Sequence, residues 1–294
     1  MSGTFAASVA IYLYLIGNPE FWIIKNPQSN SSTGFFINRT IFSCFLIMCF
    51  LSGIEYFKNI DKISKNSKKN FYNKIYIRFF LLLITIGIIT SFSRLGNFLF
   101  ISLIIFYIFQ VFYTNEKKNK TFLITLLLIL IFDVLVLGFY FGSEKLIQRY
   151  SLLQNEIIAY MPSLTEESIY RGDIVKFAIN ELNKYIFFGY GAGGFEHLFK
   201  ANFETQTVFY ASHAHSDVIE FLGEFGLVGF ILLAACFISL CLKKDFFSSK
   251  NLKLLYILVF ILIFDFSFHS PIIQFLFVLL VSIKYDLRNI DKIV

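Results

Sequence analysis

Along this chain, apolar runs long enough to cross a bilayer alternate with short polar stretches. A membrane helix needs roughly 20 apolar residues. On that ruler, spans are expected near 5–17, 36–57, 76–92, 95–113, 120–142, 217–242, 251–268 and 270–285. The first is short and stops at Asn18-Pro19, a turn signal. Only one polar insert is long, residues 143–212. The chain therefore divides into transmembrane helices over 1–142, the insert over 143–212, and further transmembrane helices over 213–294. The expected fold class is an all-α integral membrane protein with about 8 spans and one long loop carrying amphipathic helices.

Composition supports that reading. Apolar residues make up 56% of 294 positions and the mean hydropathy is +0.67, which excludes an ordinary soluble domain. The 40 Phe residues reflect compositional bias rather than function. Cys44, Cys49, Cys236 and Cys241 fall inside apolar runs, five apart in each pair on one helix. Neither pair can close locally without bending its helix, so no disulfide or thiol chemistry is expected. The first apolar run lacks a basic flank and a small-residue cleavage site, so no cleavable signal peptide is expected.

The net charge of +6 matters through its placement. Loops 58–78, 114–120 and 243–253, with the tail, hold seventeen of the 26 basic residues and are alternate loops. They are expected on the cytoplasmic side. The 143–212 insert holds six basic residues against eight acidic ones and is expected outside. Nothing in this distribution calls for a nucleic-acid partner. Arg39, Arg94, Arg171, His213, His215 and His269 then all fall on the outer side. Arginine there runs against the usual bias, so each such guanidinium calls for a reason.

A guanidinium presents a planar fork of donors that matches phosphate oxygens. Arg94 sits in the tight turn SFSRLGN, residues 91–97, so its position is set by two helices. The bland alternative for Arg39 is snorkelling to headgroups. In ESIYRGDIVKFAINELNKYIFF (167–188), Ile174, Phe177, Ala178, Leu182 and Ile186 recur at helical spacing, which predicts an amphipathic helix. Arg171 stands at its start, where an anion also meets a helix N-terminus.

Gly189, Gly191 and Gly194 spell G-x-G-x-x-G, but a dinucleotide fingerprint has meaning only inside a βαβ unit. Here the glycines are expected to turn the chain back toward the bilayer. In SHAHSDVIEFLGEFG (212–226), Asp217 and Glu220 read as a capping box opening the sixth span. His215, just before it, is placed to take a proton from a hydroxyl. His213-x-His215-x-Asp217 looks like part of a metal site. With only His197 and His269 left as further imidazoles, the set reads as incomplete and no metal or other cofactor is expected. Glu224, deep in that span among glycines, should face protein or water. Asp265 and His269, four apart, are expected to pair, and Asp133 lies inside the fifth span.

Taken in order, four stretches resemble the O-antigen ligase/polymerase family of bacterial membrane glycosyltransferases: TGFFINRTIFSCFL (33–46), SFSRLG (91–96), RGDIVKFAINELNKYIFFGYGAGGF (171–195) and HSDVIEFLGEFGLVGF (215–230). Leu95, Thr40 and Ser216 depart from the family's Gly, Asn and Asn. Family members generally carry more membrane helices before the N-R motif, so the chain reads as a short form or as lacking an N-terminal portion. The resemblance implies metal-independent, inverting transfer of a glycan from a polyprenyl diphosphate to an acceptor sugar hydroxyl. It assigns His215 as the base, Arg94, Arg171 and Arg39 to the diphosphate, and Asp217, Glu224 and His213 to support. The acceptor is the lipid A core for a ligase. Polymerisation of lipid-linked repeats and non-catalytic transport of an anionic lipid-linked glycan are the alternatives.

Overall fold

A computed structural model describes residues 1–17, 31–63, 67–113, 171–203, 211–242 and 248–283, with Phe246 and part of 122–131. Asp133, most of the expected fifth span, residues 143–170 and several of the basic loop and tail positions lie outside the described residues. The chain forms two compact units, Met1–Leu146 with Ile272–Val294, and Ile147–Pro271.

The first unit is built from α1 (Ser2–Leu15), α2 (Arg39–Ile63), α3 (Ser67–Thr90) and α4 (Arg94–Tyr113). Its axis is α2, whose Phe42, Leu46, Ile47, Phe50 and Leu51 are almost wholly buried. The helices α1, α3 and α4 pack around it. Phe50 meets Phe100 of α4 edge-on at 5.0 Å between centroids. Inside this apolar bundle Tyr107 donates to the Glu55 carboxylate at 2.6 Å, giving a buried acid a partner.

One end of this unit gathers two of the expected arginines. Asn38 caps α2 by accepting the Thr40 amide at 2.7 Å, which makes Arg39 the first helical residue. Ser93 caps α4 by accepting the Gly96 amide at 3.2 Å, and Arg94 is the first helical residue there. A side chain on Gly96 would collide with Ser43 Oγ at 2.4 Å, so the starts of α2 and α4 touch. Ser32 ties the segment before α2 to the end of α3, through Thr90, at 2.6 Å between hydroxyls.

The second unit contains α5 (Arg171–Leu182), α6 (Phe195–Asn202), α7 (Asp217–Cys241), α8 (Ser249–Phe264) and a 3₁₀ turn at Ser267–His269. The amphipathic stretch is helical as expected, though it ends before Ile186. Ile174 and Ala178 of α5 pack with Phe195 and Phe199 of α6 and with Ala214, and Phe177, Tyr190 and Ile219 close over them. Burying Ile174, Phe195 and Phe199 contributes about 1.5–3 kcal/mol each, enough to seat α5 and α6 on the first turns of α7. Helix α9 (Pro271–Ser282) follows, grouped from Ile272 with the first unit.

Among the described residues, four stretches are long and apolar enough to cross a membrane: Arg39–Ile60, Lys68–Thr90, Arg94–Tyr113 and Asp217–Ser239. Two differences from the expected spans have plain causes. Residues 58–78 read as a basic loop, yet α2 runs to Ile63 and α3 starts at Ser67. Lysine is a good helix former in water, so a helix continues beyond the apolar stretch that hydropathy detects. The seventh span was expected to reach 268. Its helix stops at Phe264 because Asp265 is extended (φ −153°) and is drawn into hydrogen bonds described below.

Candidate active site

Helix α7 is broken at Gly226, where φ is +63° and ψ −177°. The break frees backbone groups inside an otherwise apolar helix, and such groups need partners from protein. The glycine segment supplies them. Tyr190 and Gly191 donate their amides to Gly223 and Glu224 carbonyls at 2.9 and 3.0 Å. Leu227 and Val228 donate to Ile186 and Phe187 carbonyls at 2.7 and 3.2 Å. A Cβ on Gly189 would lie 2.2 Å from the Glu224 carbonyl oxygen, so only glycine permits this approach. Glu224 completes the seam by accepting the Gly193 amide at 2.7 Å. The G-x-G-x-x-G run thus mends a broken membrane helix, a more specific task than the turn expected from sequence.

The seam fixes the first turns of α7, which carry the acid-rich motif. The capping box expected there does not form. Asp217 is the first helical residue, and its carboxylate accepts the Phe268 amide at 2.9 Å and pairs with His269 Nδ1. Its own amide donates to the Asp265 carbonyl at 3.0 Å. Glu220 reaches back to Ala214 rather than to Asp217, accepting that amide at 2.7 Å. Its other oxygen takes the His213 Nδ1 hydrogen at 2.9 Å. The Asp265–His269 pair is replaced as well. Asp265 accepts from Ser267 Oγ, while His269 turns to Asp217. The motif is a brace between α7 and the turn after α8, because its side chains bond across elements rather than along one helix.

His215 lies at the centre of this brace. Its φ is +58°, a conformation few side chains adopt, and its ring meets Phe266 edge-on at 5.1 Å. Among the described residues its Nδ1 is covered and has no hydrogen-bond partner. Burial, and after it the Arg171 cation and His213, pushes its pKa down to about 3, so the imidazole is neutral at neutral pH. Arg171, the first residue of α5, also acts on Asp265, a wholly buried carboxylate whose Oδ1 is unpartnered. Arg171, His215 and Asp265 therefore form one electrostatic group. In the sequence Asp265 stood out only as a partner for His269; its weight comes from α8 ending where it does.

Around His215 stand Phe266 stacked on His213 at 4.7 Å and Phe221 stacked on His269 at 4.8 Å. Burial opposes a charge on His269, but its Asp217 hydrogen bond and the neighbouring carboxylates outweigh this and hold its pKa above the ordinary imidazole value. His197 is exposed on α6 and stands apart from the brace. His213, Asp217 and Glu224 all lie in the same unit as Arg171 and His215; Arg39 and Arg94 belong to the other unit.

A sequence model of the family described as O-antigen ligase matches residues 79–234. The chain belongs to the O-antigen ligase family. The match takes in Arg94, Arg171, His213, His215, Asp217 and Glu224, while Arg39, Asp265 and His269 fall outside it. No curated protein and no solved structure matches the chain. At the level of the family, this O-antigen ligase relative is a membrane protein of the glycosyl-transferring class, of ligase or polymerase type, acting on lipid-linked glycans.

Proposed function

We propose that the protein transfers an oligo- or polysaccharide from a polyprenyl diphosphate to an acceptor sugar hydroxyl, the lipid A core, at the periplasmic side of the bacterial inner membrane. His215 Nε2 takes the proton from the acceptor hydroxyl as that oxygen attacks the anomeric carbon. The bond from the anomeric carbon to the phosphate oxygen breaks on the opposite face, so configuration inverts. The electron pair leaves with the diphosphate, and Arg171 balances the charge that develops there. Arg39 and Arg94 keep the diphosphate-binding role that the resemblance gives them. Both are first residues of capped helices, as Arg171 is of α5. A helix start favours an anion over a cation, which suits each position to a phosphate group.

The observation that carries this reading is the state of His215: neutral, strained and beside Arg171. An anion seated on Arg171 cancels part of what holds its basicity down, so the imidazole becomes a stronger base once the donor is bound. The site would thus be weakly reactive until filled. Asp265 and Phe266 would set Arg171 and the imidazole ring in place.

Complementation of a strain lacking its O-antigen ligase tests the reading, with wild type beside His215→Ala and Arg171→Ala. Wild type is expected to restore full-length lipopolysaccharide, and both variants to lose it at normal protein levels. Attached glycan unchanged in both variants would favour a transporter. Single-repeat molecules that wild type extends into long chains would make the acceptor another lipid-linked repeat. Product with retained configuration would overturn direct displacement.

A further inference from the structure

Two imidazoles and one carboxylate, scattered along the chain, converge at the head of α7. His213 Nδ1 is 2.9 Å from Glu220 Oε1, and His269 Nε2 is 3.5 Å from the same oxygen. All three donor atoms lie within 4.8 Å of one another. Ligand atoms about 2.0–2.2 Å from a tetrahedral zinc ion sit roughly 3.4 Å apart, so the two edges meeting at Glu220 bracket the required spacing. We propose that His213, Glu220 and His269 bind one divalent transition-metal ion of the zinc class, with the remaining position open to water.

The surroundings are those of a ligand set held ready. Imidazole ligands usually give their second nitrogen to a carboxylate or carbonyl, which fixes ring orientation. Asp217 does this for His269, and Asp217 is itself held by the Phe268 amide. The second oxygen of Glu220 is engaged by the Ala214 amide. Phe266 and Phe221 lie flat on the two imidazoles and hold their planes. The side chains of His213 and His269 keep 32% and 21% exposure, which leaves an entry path, while Glu220 keeps 2%. Two imidazoles and a carboxylate suit zinc and its neighbours, whereas magnesium and calcium prefer all-oxygen sets.

Charge points the same way. Asp217, Glu220, Glu224 and Asp265 are all buried in this unit. Buried carboxylates are paired or coordinate metals. A divalent ion with two neutral imidazoles balances Asp217 and Glu220 together. The ion would join the first turn of α7 to the 3₁₀ turn and to the segment that holds His215 at its positive φ. Its role is that of a brace, and the transfer step proposed above is not routed through it. Metal binding would stand if that transfer were disproved.

Metal titration of the full chain in detergent tests this. The chelator-stripped protein is titrated with Co²⁺, read by its visible ligand-field bands, and then with Zn²⁺, read by elemental analysis after gel filtration. One ion per chain, a tetrahedral Co²⁺ spectrum and a rise in unfolding temperature with Zn²⁺ are expected. His213→Ala and His269→Ala should abolish the Co²⁺ bands, and Asp217→Asn should weaken Zn²⁺ binding about tenfold or more through the outer shell. His197→Ala, on the exposed face of α6, should change nothing. Wild-type protein that takes up no Zn²⁺ and shows no Zn²⁺-dependent rise in unfolding temperature would overturn the site, as would uptake that is unaltered in both histidine variants. The wild-type readings decide the matter even where a variant folds poorly.

Discussion

The Glu224 carboxylate accepts the Gly193 amide at 2.7 Å, thirty-one residues away in sequence, just before α7 breaks. An acid inside an apolar helix is usually read as a functional group. Here its partner is a backbone amide in the segment that mends the break. Replacing it with Ala removes the acceptor and should cost about 1–3 kcal/mol, while Gln keeps an oxygen in place and should cost less. Thermal unfolding of the two variants in detergent checks this. If Gln costs as much as Ala, the negative charge matters rather than the hydrogen bond.

The seam also separates glycines that look alike in sequence. Gly189 has φ +75° and would place a Cβ 2.2 Å from the Glu224 carbonyl oxygen, whereas Gly191 has φ +97° and open space around it. Gly191→Ala should cost only the backbone strain, about 1–2 kcal/mol. Gly189→Ala adds a collision with backbone that cannot yield, so folded protein should fall steeply. Yields of monodisperse protein after gel filtration compare the two. Equal yields would mean that the close approach is not rigid.

What the sequence made legible follows from this physics. The length of the apolar runs located these helices because crossing a bilayer needs length, and α2, α4 and α7 lie where that length was found. Helical spacing found α5, with Arg171 at its start. Pairings across elements were not legible. Asp217 and Glu220 match a capping box in spacing, and nothing local shows that Phe268, His269, His213 and Ala214 will claim their oxygens. The His213–Glu220–His269 group escaped for the same reason, since its members become neighbours only when α8 ends at Asp265. The one available signal was two histidine-and-acid clusters at the ends of successive apolar runs.

In the first unit, Tyr107 and Glu55 lie fifty-two residues apart and share a buried hydrogen bond at 2.6 Å. A Tyr107→Phe, Glu55→Gln double-mutant cycle should give a coupling of about 0.5–3 kcal/mol, since residues in one buried contact are not additive. The singles should unfold at lower temperature than wild type, and the double should lose less than their sum. Strict additivity would mean that the two groups are held independently.

His215 invites a test in which stability and activity move apart. Its backbone is left-handed (φ +58°) and its Nδ1 is buried without a partner. Groups held in such states persist when function needs them, at a cost of order 1–3 kcal/mol. Glycine adopts that φ freely and carries no ring nitrogen to bury. His215→Gly should therefore unfold at or slightly above the wild-type temperature, within about 2–4 °C, while losing glycan transfer. Were His215 there only to pack on Phe266, the same substitution would lower the unfolding temperature and leave transfer in proportion to the folded protein remaining. Unfolding curves and lipopolysaccharide gels from the same preparations tell the two apart, because a reactive imidazole lowers stability for the sake of chemistry and a packing one does not.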